Sequence, residues 1–158
     1  MSEEIFGAVQ KLPVNGTKKQ VVLQCAPLLT GIKLTNPLIV RTDQKEELFR
    51  TFEGSPVCCR VLYEFQGRLS ILLYRPGMLA AYLEREDVKK LMTSFGYENP
   101  DLEETLNRIA DAYQDHMNGK RGFPHEIGLV LGYPPVDVEG FIEKEGRDFL
   151  YSGYWKVY

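Results

Sequence analysis

Imidazoles and thiols are scarce in this chain, with two histidines and three cysteines among 158 residues. There is no Cys-x-x-Cys pair, and the histidines do not fall at zinc-finger spacing, which excludes a structural zinc site of that kind. The cysteine count is odd, and Cys58 and Cys59 are adjacent. Neighbours on a strand point to opposite faces, so a bridge between them would be strained. The thiols therefore read as reduced and the protein as cytoplasmic. No apolar run approaches the roughly 20 residues that span a bilayer. The opening MSEEIFGAVQ is acidic and lacks the basic and apolar parts of a signal peptide. A basic excess is also missing: the net charge is -3, which argues against general affinity for nucleic acid or an anionic membrane.

What is present is ordinary for a globular protein, with 44% apolar and 26% charged residues. A chain of this length buries about two-thirds of its unfolded surface without staples. Residues 1–16 read as a loosely attached N-terminal arm, and residues 17–158 as a single α+β domain. Thr17-Lys18-Lys19-Gln20 has the capping-box pattern, followed by an apolar stripe of Val21, Val22, Cys25, Leu28 and Leu29. Pro27 is expected to break or kink that helix and Gly31 to end it. An extended segment, 32–40, is interrupted by Asn36-Pro37, and 43–53 reads as a short helix closed by Gly54.

The clearest strand signal is a hairpin over 57–75. A three-residue Phe65-Gln66-Gly67 loop keeps one apolar face, with Tyr63 opposite Leu69, Val61 opposite Ile71 and Cys59 opposite Leu73. Two short helices follow, Met78–Glu84 and Asp87–Phe95. A longer one starts at the capping signature Asp101-Leu102-Glu103-Glu104 and stops at Asn118-Gly119. The aromatic, β-prone segment 148–158 is expected to add a strand to the hairpin, giving a small, mainly antiparallel sheet with helices packed on it. The chain stops inside that strand pattern, which implies a natural chain continuing past Tyr158.

The most organised stretch is GFPHEIGLVLGYPPVDVEGFIEKEG, residues 122–146. Pro124 suits a first helical position, Gly132 a C-terminal cap, and Pro135 and Gly146 the ends of a second helix. The expected result is a helical hairpin in which Ile127, Val130 and Leu131 pack against Val138, Phe141 and Ile142. Its second helix carries Asp137, Glu139, Glu143 and Glu145 against Lys144, a face that repels phosphate, so a DNA-reading role is not expected. His125-Glu126 opens like a zinc-peptidase helix, but H-E-x-x-H needs a second His where Leu129 stands, so no metal is expected. His125 at a helix start suits a base or an acceptor, or else it bonds a neighbouring loop while Glu126 complements the dipole.

Cys25 is the thiol to pair with His125, since a cysteine nucleophile needs a base close in space. Its place on an apolar stripe equally fits a small buried hydrophobe. Lys33, Asn36 and Arg75 stand at the edges of apolar segments, where polar ligands are often held. Trp155 and Val157 alternate with Tyr154, Lys156 and Tyr158, so the last strand is either core or a partner-binding edge.

The segments CAPLLTGIK (25–33), LLYRPGML (72–79), FPHEIGLVLGYPPVDVEGFI (123–142) and GYWKVY (153–158) resemble an uncharacterised bacterial family, domain of unknown function 3793, found mostly in anaerobic Firmicutes. The resemblance covers about residue 17 to the end and implies that family members continue past Tyr158. It also implies that Cys25, Gly31, Lys33, His125, Glu126, Gly132, Tyr133, Trp155 and Lys156 belong to the family signature. It implies no activity and no cofactor.

These readings point first to a small cytoplasmic, non-catalytic domain that binds a small molecule or a protein partner. The candidate ligand-binding residues are Lys33, Asn36, Arg75, Glu126, Tyr133, Trp155 and Lys156. The alternatives are a thiol-dependent hydrolase or transferase with Cys25 as nucleophile and His125 as base, and an assembly module acting through the C-terminal aromatic strand.

Overall fold

The computed structural model describes residues 16–153 and 156–158. The expected N-terminal arm, but for Gly16, lies outside the described residues, as do Tyr154 and Trp155. The chain is α+β, as expected, with helices, a three-stranded antiparallel sheet and a separate two-stranded sheet. Two compact units make it up, one ending at Arg75 and the other running from Pro76 to Tyr158.

In the first unit, α1 (Thr17–Leu29) starts from an extended Gly16 without a side-chain cap. The expected capping box does not form, because both of its side chains make tertiary contacts. Thr17 Oγ1 donates to Glu47 Oε2 at 2.9 Å, and Gln20 Nε2 donates to the Ile39 carbonyl at 2.9 Å. Pro27 sits in the last turn, and the helix runs on to Leu29 unbroken. Gly31, at φ 78°, then turns the chain so that the N–H groups of Ile32 and Lys33 reach the Pro27 carbonyl at 2.8 and 2.9 Å. The two carbonyls at the end of α1 are closed by Arg75, whose Nε donates to Leu28 at 2.8 Å and Nη2 to Leu29 at 2.7 Å.

The sheet order is β1 (Thr35–Arg41), β3 (Arg68–Tyr74), β2 (Cys58–Phe65). The hairpin turn has two residues, not three. Gln66 and Gly67 both take positive φ, 47° and 73°, as a primed turn requires, and Phe65 faces Arg68. The register then shifts between Val61 and Tyr63, so that Val61 faces Ile71 and Cys59 faces Leu73 as expected, whereas Leu69 lies opposite Glu64 and not Tyr63, which faces Ser70. A bulge achieves what a longer loop would have done, because only that register keeps the apolar side chains on one face. The third strand is also a correction. It is β1, with Leu38 opposite Ile71, and not the C-terminal segment. Proline is tolerated on an edge strand, so Asn36-Pro37 interrupts nothing. Val21, Cys25 and Leu28 of α1, Leu48 and Phe52 of α2 (Lys45–Phe52), and Leu38, Val40, Leu69, Ile71 and Leu73 of the sheet form one buried cluster. Each such side chain contributes about 1.5–3 kcal/mol when fully buried.

The second unit holds α3 (Pro76–Leu83), α4 (Glu86–Ser94), α5 (Leu102–Met117), α6 (Ile127–Val130) and α7 (Pro135–Glu143), with β4 (Tyr151–Ser152) and β5 (Lys156–Val157). Asp101 caps α5 as its pattern predicts, accepting the Glu104 N–H at 2.8 Å. Leu79, Val88, Leu106, Ile109, Leu129 and Val130 are fully buried, and α3 touches α4, α5 and α6. β4 and β5 pair with each other, Tyr151 opposite Val157 and Ser152 opposite Lys156. A Cβ on Gly140 would stand 2.5 Å from both Cβ and Cγ of Tyr158. Glycine there lets Tyr158 lie against α7. Among the described residues no helix is long and apolar enough to cross a membrane.

Candidate functional site

The FPHEIG segment begins as a run of tight turns. The carbonyls of Pro124, His125 and Glu126 accept the N–H groups of Ile127, Gly128 and Leu129 at 3.1, 3.0 and 3.1 Å. The α-helix proper covers only Ile127–Val130, so the expected helix from Pro124 is shorter by three residues. His125 therefore stands on a turn before a single helical turn, where a helix dipole has little to offer it. Gly132 ends α6 at φ 81°, and the Tyr133 N–H returns to the Gly128 carbonyl at 2.9 Å. A Cβ on Gly128 would lie 3.0 Å from Val138 Cγ2, so glycine sets the close approach of α6 to α7.

The two helices do not close on each other along their whole length. Ile127 and Val138 are buried as expected, yet with Leu131 and Phe141 they also border an open groove of about 390 Å³, together with Phe123, His125, Tyr133, Asp137, Ser152 and Lys156. Its aromatic wall is continuous. The Phe123 and His125 ring centroids are 5.4 Å apart at 70°, and those of His125 and Phe141 are 5.6 Å apart at 49°. The first is the edge-to-face arrangement that π systems favour, and the second is tilted. Behind Phe123 stands His116, edge-on at 5.3 Å.

Three polar groups line the groove. His125 is half-buried, and among the described residues neither of its ring nitrogens has a hydrogen-bond partner. Lys156 Nζ donates to the Gly146 carbonyl and lies over the rings of Phe149 and Phe141, 4.7 and 5.8 Å from their centroids. Asp137 is buried in the first turn of α7, and its Oδ1 accepts the Tyr158 N–H at 3.1 Å. Ser152 also lines the groove, yet no hydrogen bond links His125 to it or to Asp137 among the described residues. A nucleophile, base and orienter are thus not joined as a relay requires.

Of the residues singled out in the sequence, His125, Tyr133 and Lys156 meet at this groove. Burial pushes the Tyr133 hydroxyl above its ordinary value. Glu126 is buried, with Arg121 Nη2 at 3.5 Å from Oε1. Burial, and next the Glu126 charge, push the Tyr97 hydroxyl up to about 12. Trp155 lies outside the described residues. Asp137, Ser152 and Phe123 escaped the sequence reading, and Phe141 was placed in a closed core. For Asp137 the signal was available as an acid in the first turn after Pro134-Pro135, where it was counted only as charge.

Cys25, Lys33, Asn36 and Arg75 belong to the first unit. Cys25 is fully buried and its thiol is raised from 9.0 to about 11 by that burial. It is protonated at neutral pH, whereas a nucleophilic cysteine needs thiolate. Asn36 Nδ2 donates to Cys25 Sγ at 3.3 Å and to the Pro37 carbonyl at 2.9 Å. Lys33 is exposed.

A larger depression of about 710 Å³ in the second unit is lined by Tyr82, Arg85, Asp87, Lys90, Pro134 and Glu139, among others. There Arg85 pairs with Asp87 at 2.6 Å, and the Tyr82 hydroxyl donates to the Tyr133 carbonyl at 2.7 Å. The groove at His125 has the smaller volume but the more aromatic lining. Among the described residues no three His, Cys, Asp or Glu side chains converge as a metal-binding set.

Neither the curated proteins nor the solved structures hold a match to this sequence. The family model described as "Protein of unknown function (DUF3793)" matches residues 21–158. That span takes in both compact units, the FPHEIG turns and the groove they help to line, and the chain belongs to the DUF3793 family.

Proposed function

We propose that this chain is a cytoplasmic, non-catalytic binding domain whose ligand is a small molecule held in the groove beside His125. The observation that carries the reading is the groove itself, about 390 Å³ with an aromatic wall of Phe123, His125 and Phe141. Small-ligand sites are typically of this size, mostly apolar, with a few polar groups that orient the ligand. The absence of a hydrogen bond from His125 to Ser152 or Asp137 among the described residues supports binding over turnover. Free cysteines, Cys58 among them exposed, support a reducing compartment.

The test uses N-phenyl-1-naphthylamine, a neutral aromatic dye that fluoresces when it leaves water. Saturable binding of about one dye per chain is expected. Phe123→Ala, which removes a partly exposed wall ring, should weaken it about tenfold while leaving the fold intact. Absence of saturable binding, or equal affinity in Phe123→Ala, would contradict the reading. Hydrolysis of p-nitrophenyl acetate should be no faster with the native protein than with His125→Ala.

A further inference from the structure

Lys156 has an unusual setting for a lysine. It is half-buried, and its ammonium lies over Phe149 and Phe141 and gives one hydrogen bond to the Gly146 carbonyl. Among the described residues no carboxylate pairs with it. An ammonium has three donors, so two remain for a ligand. Partial burial strengthens whatever charge meets them, because the surroundings screen less than water.

The carboxylate that shares the groove is placed elsewhere. Asp137 precedes Phe141 by four residues on α7, roughly one helical turn or 6 Å along the axis. Its Oδ1 already accepts the Tyr158 N–H. Phe141, over which Lys156 lies, therefore marks the cationic end of the groove and Asp137 the anionic end. A ligand carrying one negative group is drawn to the first and repelled from the second, which fixes its direction.

We propose that the ligand is a small aromatic acid. Its flat ring system packs on Phe123, His125 and Phe141, and its carboxylate, sulfonate or phosphate is held by Lys156. The proposal rests on the groove being a binding site and adds the chemical class of what it binds. Edge and face contacts with flat rings come from the aromatic wall, the anion from Lys156, and the orientation from Asp137.

Two dyes of the same skeleton separate this proposal from the reading beneath it. 8-Anilino-1-naphthalenesulfonate carries the anion, and N-phenyl-1-naphthylamine lacks it. In fluorescence titrations, Lys156→Gln should weaken the sulfonate about tenfold, the loss of one charge-assisted contact, and change the neutral dye less than about twofold. Lys156→Arg should restore most of the sulfonate affinity. Circular dichroism checks that each variant is folded. Should Lys156→Gln fail to fold, the native protein still decides, since added salt should weaken the sulfonate and leave the neutral dye unchanged. If both dyes weaken equally, or the sulfonate is insensitive to residue 156 and to salt, the acid-binding proposal is wrong while the groove stands. If neither dye binds saturably, both fail.

Discussion

Asn36 reaches across the first unit to Cys25, its side-chain Nδ2 donating to Sγ at 3.3 Å. The contact locks β1 to α1 and covers the sulfur, which is fully buried. Cys58, by contrast, is exposed. Iodoacetamide at pH 7.5 should therefore label Cys58 in the native protein and Cys25 only after unfolding in urea. Peptide mass spectrometry reads the two sites separately. Rapid native labelling of Cys25 would mean an accessible thiolate and would revive a thiol nucleophile.

The same burial makes stability depend on alkaline pH. Cys25 rises from 9.0 to about 11 and Tyr97 from 10.0 to about 12, each chiefly through burial. A raised value means that the folded state holds its proton more tightly than the unfolded state. The stability so gained is whole below pH 9 and is lost as pH climbs through 11 to 12. For Cys25 the displacement corresponds to about 3 kcal/mol at most. Urea unfolding should show a plateau between pH 7 and 9 and a decline above it that is shallower in Cys25→Ser. Parallel curves for the two proteins would contradict this.

Arg75 was legible as a polar residue at the end of a strand, but its role was not. Its guanidinium closes the Leu28 and Leu29 carbonyls at the end of α1, 46 and more residues away in sequence. Arg75→Ala should cost about 2 kcal/mol in urea unfolding, since charged hydrogen bonds to carbonyls are lost. Arg75→Lys should recover less than half, because an ammonium lacks the fork that serves two oxygens. A loss within about 0.5 kcal/mol for Arg75→Ala would show that water replaces it fully.

That case illustrates what was readable and what was not. Local signals with local partners came through: the Asp101 cap, the stop at Asn118-Gly119, the Gly132 turn and the hairpin itself. Signals with distant competitors did not. Thr17 and Gln20 have the capping pattern, yet Glu47 and Ile39 take their hydrogen bonds. Pairing of strands far apart in sequence was equally hidden, and β1 rather than the C-terminal segment joins the hairpin. At the candidate site, His125, Tyr133 and Lys156 stood out, but no periodicity tells whether apolar residues on two short helices meet or leave a groove between them.

Gly140, inside α7, has a specific task. A methyl group there would stand 2.5 Å from Tyr158 Cβ and Cγ. Gly140→Ala should destabilise the protein by about 1–3 kcal/mol, as overpacking does. In the background of Tyr158→Gly the same change should be close to neutral, since the colliding atoms are gone. Additive losses in that double-mutant cycle would contradict the contact.

The central claim is that the groove beside His125 is where this protein takes a small molecule. Titration of the ¹⁵N-labelled protein with 8-anilino-1-naphthalenesulfonate, followed by amide chemical shifts, tests it most directly. The largest shifts should fall on Phe123, His125, Gly128, Phe141 and Ser152, with the strands of the first unit unmoved. Shifts centred instead on Tyr82, Arg85 and Lys90, or on the strands of the first unit, would contradict it.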